Sequence, residues 1–102
     1  MHSVNTQTSI RMTIKLIMAM REETQGSLAR SIGLSTTTVN AKQIGRSSWT
    51  LNDLDALAKH WEVSVIDLLK GAPHALVLMK ADSEFDISSA ERAVARILEK
   101  SA

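Results

Sequence analysis

Residues 25–46 read QGSLARSIGLSTTTVNAKQIGR. Leu28, Ala29 and Ile32 stand at i, i+1 and i+4, which places three apolar groups on one helix face. Gly33 follows, suited to the positive φ that stops a helix. Leu34 is a single apolar plug, and Ser35 offers an N-cap oxygen to a second helix. That helix opens with Thr36, Thr37 and Thr38, turns Val39 inward, and presents Asn40, Lys42 and Gln43. Helix, tight glycine turn and short helix make a unit that cannot bury its apolar side alone. The flanking segments must cover it.

They are suited to do so. Ser9 is a candidate cap for a helix carrying Ile10, Ile14, Ile17 and Met18 on one stripe, with Arg21 in the same row. Met12, Leu16 and Met20 lie off that stripe, so this helix is apolar over much of its circumference and is expected at the centre of the core. Glu22-Glu23 run into Thr24, a cap for the next helix, so the first turn must be tight. After Arg46, Ser47 and Ser48 form a short polar loop ending at Trp49. Thr50 with Asp53 fits a capping box ahead of Leu51, Leu54, Leu57, Ala58 and Trp61. Ser64 with Asp67 repeats that pattern ahead of Val65, Leu68 and Leu69. Gly71 closes this fifth helix and Pro73 prevents its continuation. Trp49 and Trp61 read as core, since they adjoin caps and apolar stripes.

The ends are less regular. Met1 to Thr8 shows no periodicity and is expected to be a disordered N-terminus. Residues 74–80 (HALVLMK) suit a short helix or a buried strand, and periodicity does not decide between them. Residues 82–86 read as an acidic connector. Ser88 with Glu91 forms a capping box for a last amphipathic helix carrying Ala90, Ala93, Val94, Ile97 and Leu98, with Lys100 near its C-terminal end.

A chain of 102 residues suits one small domain. Aromatic residues make up only 3%, so aliphatic side chains and methionine must build the core. The absence of cysteine excludes disulfides, thiol catalysis and cysteine-based zinc sites. No apolar run approaches the ~18 residues of a spanning helix. No apolar signal core follows Met1, so a cytoplasmic protein is expected. The net charge of +1 conceals an asymmetry. Residues 9–50 hold six bases against two acids, residues 51–70 two against four, and residues 71–102 four against five. The positive charge sits on the part that holds the opening stretch, which suits a polyanionic partner. His2, His60 and His74 are scattered without metal-ligand spacing. Neither a glycine-rich phosphate loop nor a nucleophile elbow is present. No enzyme activity, cofactor, metal or small-molecule ligand is expected.

Residues from about Ile10 to Gly71 resemble the five-helix DNA-binding domain of phage repressors and Cro-type regulators, the lambda-repressor-like (XRE) family. Gln25, Leu28, Ala29, Ile32, Gly33, Leu34, Ser35 and Val39 carry the likeness in the helix-turn-helix. Thr50-Leu51, Leu54, Leu57-Ala58-Lys59, Val63-Ser64 and Leu68-Leu69 carry it in the last two helices. The resemblance implies an all-α fold: a helix-turn-helix domain over residues 9–71, then an extension over 72–102 with one amphipathic helix. It implies a sequence-specific double-stranded DNA-binding transcriptional regulator, a phage immunity repressor or Cro-like repressor. Such a protein occupies operator DNA through a recognition helix, here Ser35 to Gln43, in the cytoplasm of a bacterial or phage-infected cell, on the nucleoid. The DNA-binding residues it implies are Gln25, Ser35, Thr36, Thr37, Thr38, Asn40, Lys42 and Arg46, with Ala41 near base edges and Gln43, Ser47 and Ser48 near the backbone. Arg30 reads equally as a phosphate contact or a solvated charge. The extension is expected to serve homodimerisation or to add DNA contacts. The alternatives on the same fold are a DNA-binding antitoxin and a protein-interaction adaptor.

The chain departs from the family pattern in the nearly absent spacer between the first two helices, where Arg21-Glu22-Glu23 runs straight into Thr24-Gln25, and at the end of the recognition helix. Lys42 stands where an apolar, inward residue is usual, and Ile44 where a polar one is. The end of the recognition helix is therefore expected to be shifted or unwound, with Ile44 supplying the buried contact.

Overall fold

The central element is α1 (Thr6–Met20). Described by a computed structural model over residues 5–82 and 87–101, the chain continues as α2 (Gln25–Ile32), α3 (Thr36–Gln43), α4 (Leu51–Trp61), α5 (Val65–Leu69), α6 (Ala72–Asp82) and α7 (Ile87–Ser101). There is no strand among the described residues. Ile10, Ile14, Leu16, Ile17 and Met18 are buried, and α3, α5, α6 and α7 pack on different sides of α1. The helix that is apolar around much of its circumference is thus the middle of the core. Leu28, Ala29, Val39, Leu54, Leu57, Ala58, Leu68 and both tryptophans complete it.

The caps follow the sequence. The hydroxyls of Thr24, Ser35, Thr50 and Ser64 each accept from the N–H three residues on, and Thr50–Asp53 and Ser64–Asp67 are reciprocal boxes. Four helices end alike. Glu22, Gly33, Gly45 and Glu62 are left-handed, and the next N–H closes on the carbonyl five residues back. Two of these positions hold glutamate rather than glycine, at a cost of about 1 kcal/mol each. Glu23 repays its tight turn by accepting from Trp61 Nε1 at 2.9 Å and pairing with His60.

At the N-terminal end an expectation is corrected. Asn5, not Ser9, caps α1, accepting from Thr8 N–H, and Ser9 lies inside the helix. The expected disorder of residues 1–8 therefore fails for Asn5 to Thr8; residues 1–4 lie outside the described part. What orders this segment is polar. Gln7 Nε2 donates to the Trp49 carbonyl at 2.9 Å and its Oε1 accepts from Trp49 N–H at 2.8 Å. That two-point clip ties the start of α1 to the α3–α4 loop and leaves no hydrophobic signature. In the extension, α6 precedes the expected last helix, α7, and the choice left open at residues 74–80 is decided. Residues 74–80 are helical, with Ala75 and Met79 buried one turn apart and Pro73 in the first turn, where its missing N–H does no harm. The connector at 83–86 and the side chain of Ser88, with its capping box, lie outside the described residues.

The extension packs back on α1 through Ala75, Met79, Leu76 and Ile97. A Cα radius of gyration of 13.0 Å is that of one globule of about 100 residues. No described helix is long and apolar enough to cross a membrane.

A carboxylate–histidine contact ties the extension to the domain. Asp67 pairs with His74 of α6 at 2.9 Å and accepts from Ser64 N–H. The His74 bond, then the Ser64 bonds, lower its carboxyl from 3.8 to about 2. A carboxyl lowered on folding stabilises the fold above its unfolded pKa and loses that contribution as pH falls through the folded value. Asp67→Asn should therefore melt below the wild type at pH 6, with the gap closing between about pH 4 and pH 2. A gap in melting temperature that stays constant over that range would contradict this.

Candidate nucleic-acid interface

The helix-turn-helix is α2 and α3, joined by Gly33, Leu34 and Ser35. Leu28 and Ala29 bury one side of α2, and Val39 does so for α3. With Val39 inward, the opposite side of α3 faces solvent. Thr36, Thr37 and Asn40 are exposed there and Ala41 is half-buried. Asn40 offers a donor and an acceptor on one planar group. Ser35 and Thr38 are engaged locally: Ser35 Oγ accepts from Thr38 N–H at 3.1 Å and meets Thr38 Oγ1 at 2.8 Å. Their first role is to hold the start of the helix.

Beside this row lies the N-terminus of α2, with Gln25 as its first residue. Polar groups gather around Gly26. A Cβ there would lie 3.7 Å from Arg30 Nη1, 3.7 Å from Thr36 Oγ1 and 4.0 Å from Thr24 Oγ1. Unpaired N–H groups, two hydroxyls and a guanidinium converge, an arrangement suited to a phosphate. Arg30 is thus beside the recognition helix rather than isolated on the surface.

The end of α3 is not unwound. It stays regular to Gln43, and Ile44 is its C-cap, 56% exposed. Lys42 takes the inward position. It is 8% exposed; its Nζ donates to the Ser48 carbonyl at 2.9 Å, meets Asp53 Oδ2 at 2.7 Å and lies 5.7 Å from the Trp49 ring centroid. A buried ammonium saturated in this way is not available to DNA, so Lys42 is withdrawn from the contact residues. Gln43 is withdrawn as well: it donates to the Arg11 carbonyl at 3.3 Å and accepts from Trp49 Nε1 at 2.9 Å. Asp53 remains ionised. Burial alone would raise its carboxyl, but the Lys42 bond and the Thr50 N–H and hydroxyl outweigh it and hold it below the usual range.

Gly45 then turns left-handed, and the N–H groups of Arg46 and Ser47 close on the Ala41 carbonyl. This fixes an exposed loop of Arg46, Ser47 and Ser48 at the end of the recognition helix. A family model of the Cro/C1-type HTH DNA-binding domain matches residues 13–73.

The chain belongs to that family.

Searches among curated proteins and among solved structures return no match. In Cro/C1-type domains, as in helix-turn-helix proteins generally, the second helix of the motif enters the major groove while the first crosses the backbone. The match runs from within α1 to the start of α6, so nearly all of α6 and the whole of α7 are additions to the domain.

One cation escaped the sequence reading of this Cro/C1-type domain. Arg11 of α1 donates to Thr8 Oγ1 at 3.0 Å, and its guanidinium lies against Gly45, 3.6 Å from where a Cβ would stand. It therefore borders the exposed loop that carries Arg46. Its only signal in the sequence was its membership of the basic excess over residues 9–50.

Proposed function

We propose that this chain is a sequence-specific double-stranded DNA-binding transcriptional repressor of the phage immunity or Cro kind, acting by occupying an operator. The observation that carries the reading is the outward row of Thr36, Thr37 and Asn40, flanked by Arg30, whose guanidinium reaches back from the last turn of α2 to Gly26, and by Arg46 beyond the end of α3. In this reading Asn40 pairs with adenine N6 and N7, and the threonines touch thymine methyls or phosphates. Gln25 and the first N–H groups of α2 hold one phosphate with Arg30. Arg46 and Arg11 hold the backbone on the other side of the groove. Ser35 and Thr38 shape the helix start. No arginine stands within the recognition helix to read guanine, so the operator is expected to be rich in A·T pairs at the contacted positions.

A single small unit reads few bases, and useful affinity usually comes from two half-sites or further contacts. Homodimerisation through residues 72–102 is part of the proposal, supported by the exposure of Val77, Val94 and Leu98. The antitoxin alternative requires the same segment to hold a toxin while it also packs on α1. Action inside the cell, on nucleoid DNA, follows from the proposed role.

A salt titration tests the reading. With Arg11, Arg30 and Arg46 on phosphates, log K should fall with log[salt] with a slope of about −3 per subunit. An adaptor that has lost DNA binding shows no salt-dependent affinity, and that outcome would remove the proposal.

A further inference from the structure

We propose that α7 adds a DNA-backbone contact, with Arg96 and Lys15 gripping the strand that passes the N-terminus of α2. The inference rests on the DNA-binding reading above. It starts from a cleft of about 660 Å³ between α1, α7 and the recognition motif, lined by Lys15, Ala19, Gln25, Ile44 and Arg96 among others. The cleft joins two points that bracket the helix-turn-helix: Gln25 opens α2, and Ile44 ends α3. A strand crossing the first helix of the motif runs along this line.

The chemistry along it is incomplete without α7. Of the residues at the end of α3 that line the cleft, Gln43 is engaged by Arg11 and Trp49 and Ile44 is exposed and apolar, so this side of α3 offers no free side-chain donor to a phosphate. Arg96 supplies one from across the cleft. Its Nη1 donates to the Ala19 carbonyl at 3.3 Å, which anchors the exposed guanidinium at the end of α1. A guanidinium carries five N–H donors in a rigid fork, so the others stay directed outward. Lys15 lines the same cleft from α1. Two acids border it as well. Glu23 is engaged by Trp61 and His60, which leaves Glu22, exposed on its left-handed turn, as the opposing charge. The cleft is continuous with the proposed recognition face, and Arg96 lies outside the matched family region. A duplex is therefore held by the Cro/C1-type domain and by a helix that this chain adds to it.

The test is fluorescence anisotropy of the full chain on a labelled mixed-sequence duplex over a range of salt concentrations. Arg96→Gln should weaken binding several-fold, equally on all sequences, and reduce the log K against log[salt] slope by about 0.9. Arg96→Lys should keep the slope, Lys15→Gln should reduce it like Arg96→Gln, and Glu22→Gln should raise affinity. Melting curves of each variant report the anchoring role separately. If the wild type binds with a steep slope while Arg96→Gln and Lys15→Gln only lower the melting temperature and leave the slope unchanged, the added contact is rejected. If the wild type itself shows no salt-dependent binding, the DNA-binding reading is what fails.

Discussion

Lys42→Ala is expected to destabilise the protein by about 3 kcal/mol, the lower end for breaking a buried ion pair. The side chain is held at three points, by Asp53, the Ser48 carbonyl and the face of Trp49. Removing it opens a gap beneath the end of α3 and leaves the Asp53 carboxylate without its cation. Asp53→Ala should cost a similar amount, because it strands the buried ammonium and also removes half of a capping box. The double variant Lys42→Leu with Asp53→Asn should come within about 1 kcal/mol of the wild type, since an apolar side chain of similar size carries no desolvation cost. Urea denaturation at a common m-value measures all three. Single variants that each lose less than about 1 kcal/mol would show that the pair is solvated and that Lys42 does not fix the end of α3.

Asn40→Ala should leave the melting temperature almost unchanged, since the side chain is exposed. On DNA it should cost about 1–3 kcal/mol and relax the preference at one base pair. The salt slope should not move, because no phosphate contact is lost. This separates Asn40 from Arg46, whose replacement should weaken every sequence alike and flatten the slope by about 0.9. Unaltered sequence preference with Asn40→Ala would mean that the outward row of α3 does not read bases in the manner proposed.

Features set by local spacing could be read from the residues, and features set by distant pairs could not. Helix order, the caps at Thr24, Ser35, Thr50 and Ser64, and the burial of Ile14, Leu28, Val39, Leu54 and Trp61 were legible, because each rests on local spacing. So was the exposed row of Thr36, Thr37 and Asn40, fixed once Val39 points inward. The rest depends on pairs distant in sequence. Lys42 read as an outward charge because its partner, Asp53, lies on the next helix and was already assigned to a cap. Gln7 holds Trp49 through two hydrogen bonds, and hydrogen bonds have no periodicity. Arg11 against Gly45, and Arg96 beside Ala19, join parts of the chain that only the folding of α1 against its neighbours brings together. Residues 74–80 were open between strand and helix because a short apolar run serves either; the burial of Ala75 and Met79 one turn apart decides it.

Selection of bound duplexes from a random pool bears most directly on the central claim, that α3 reads DNA sequence. The enriched motif should carry A·T pairs at its contacted positions, with the preference lost at one position for Asn40→Ala. Two inverted copies one helical turn apart would accompany a dimer. Recovery of duplexes with no enrichment over the starting pool would contradict sequence-specific recognition.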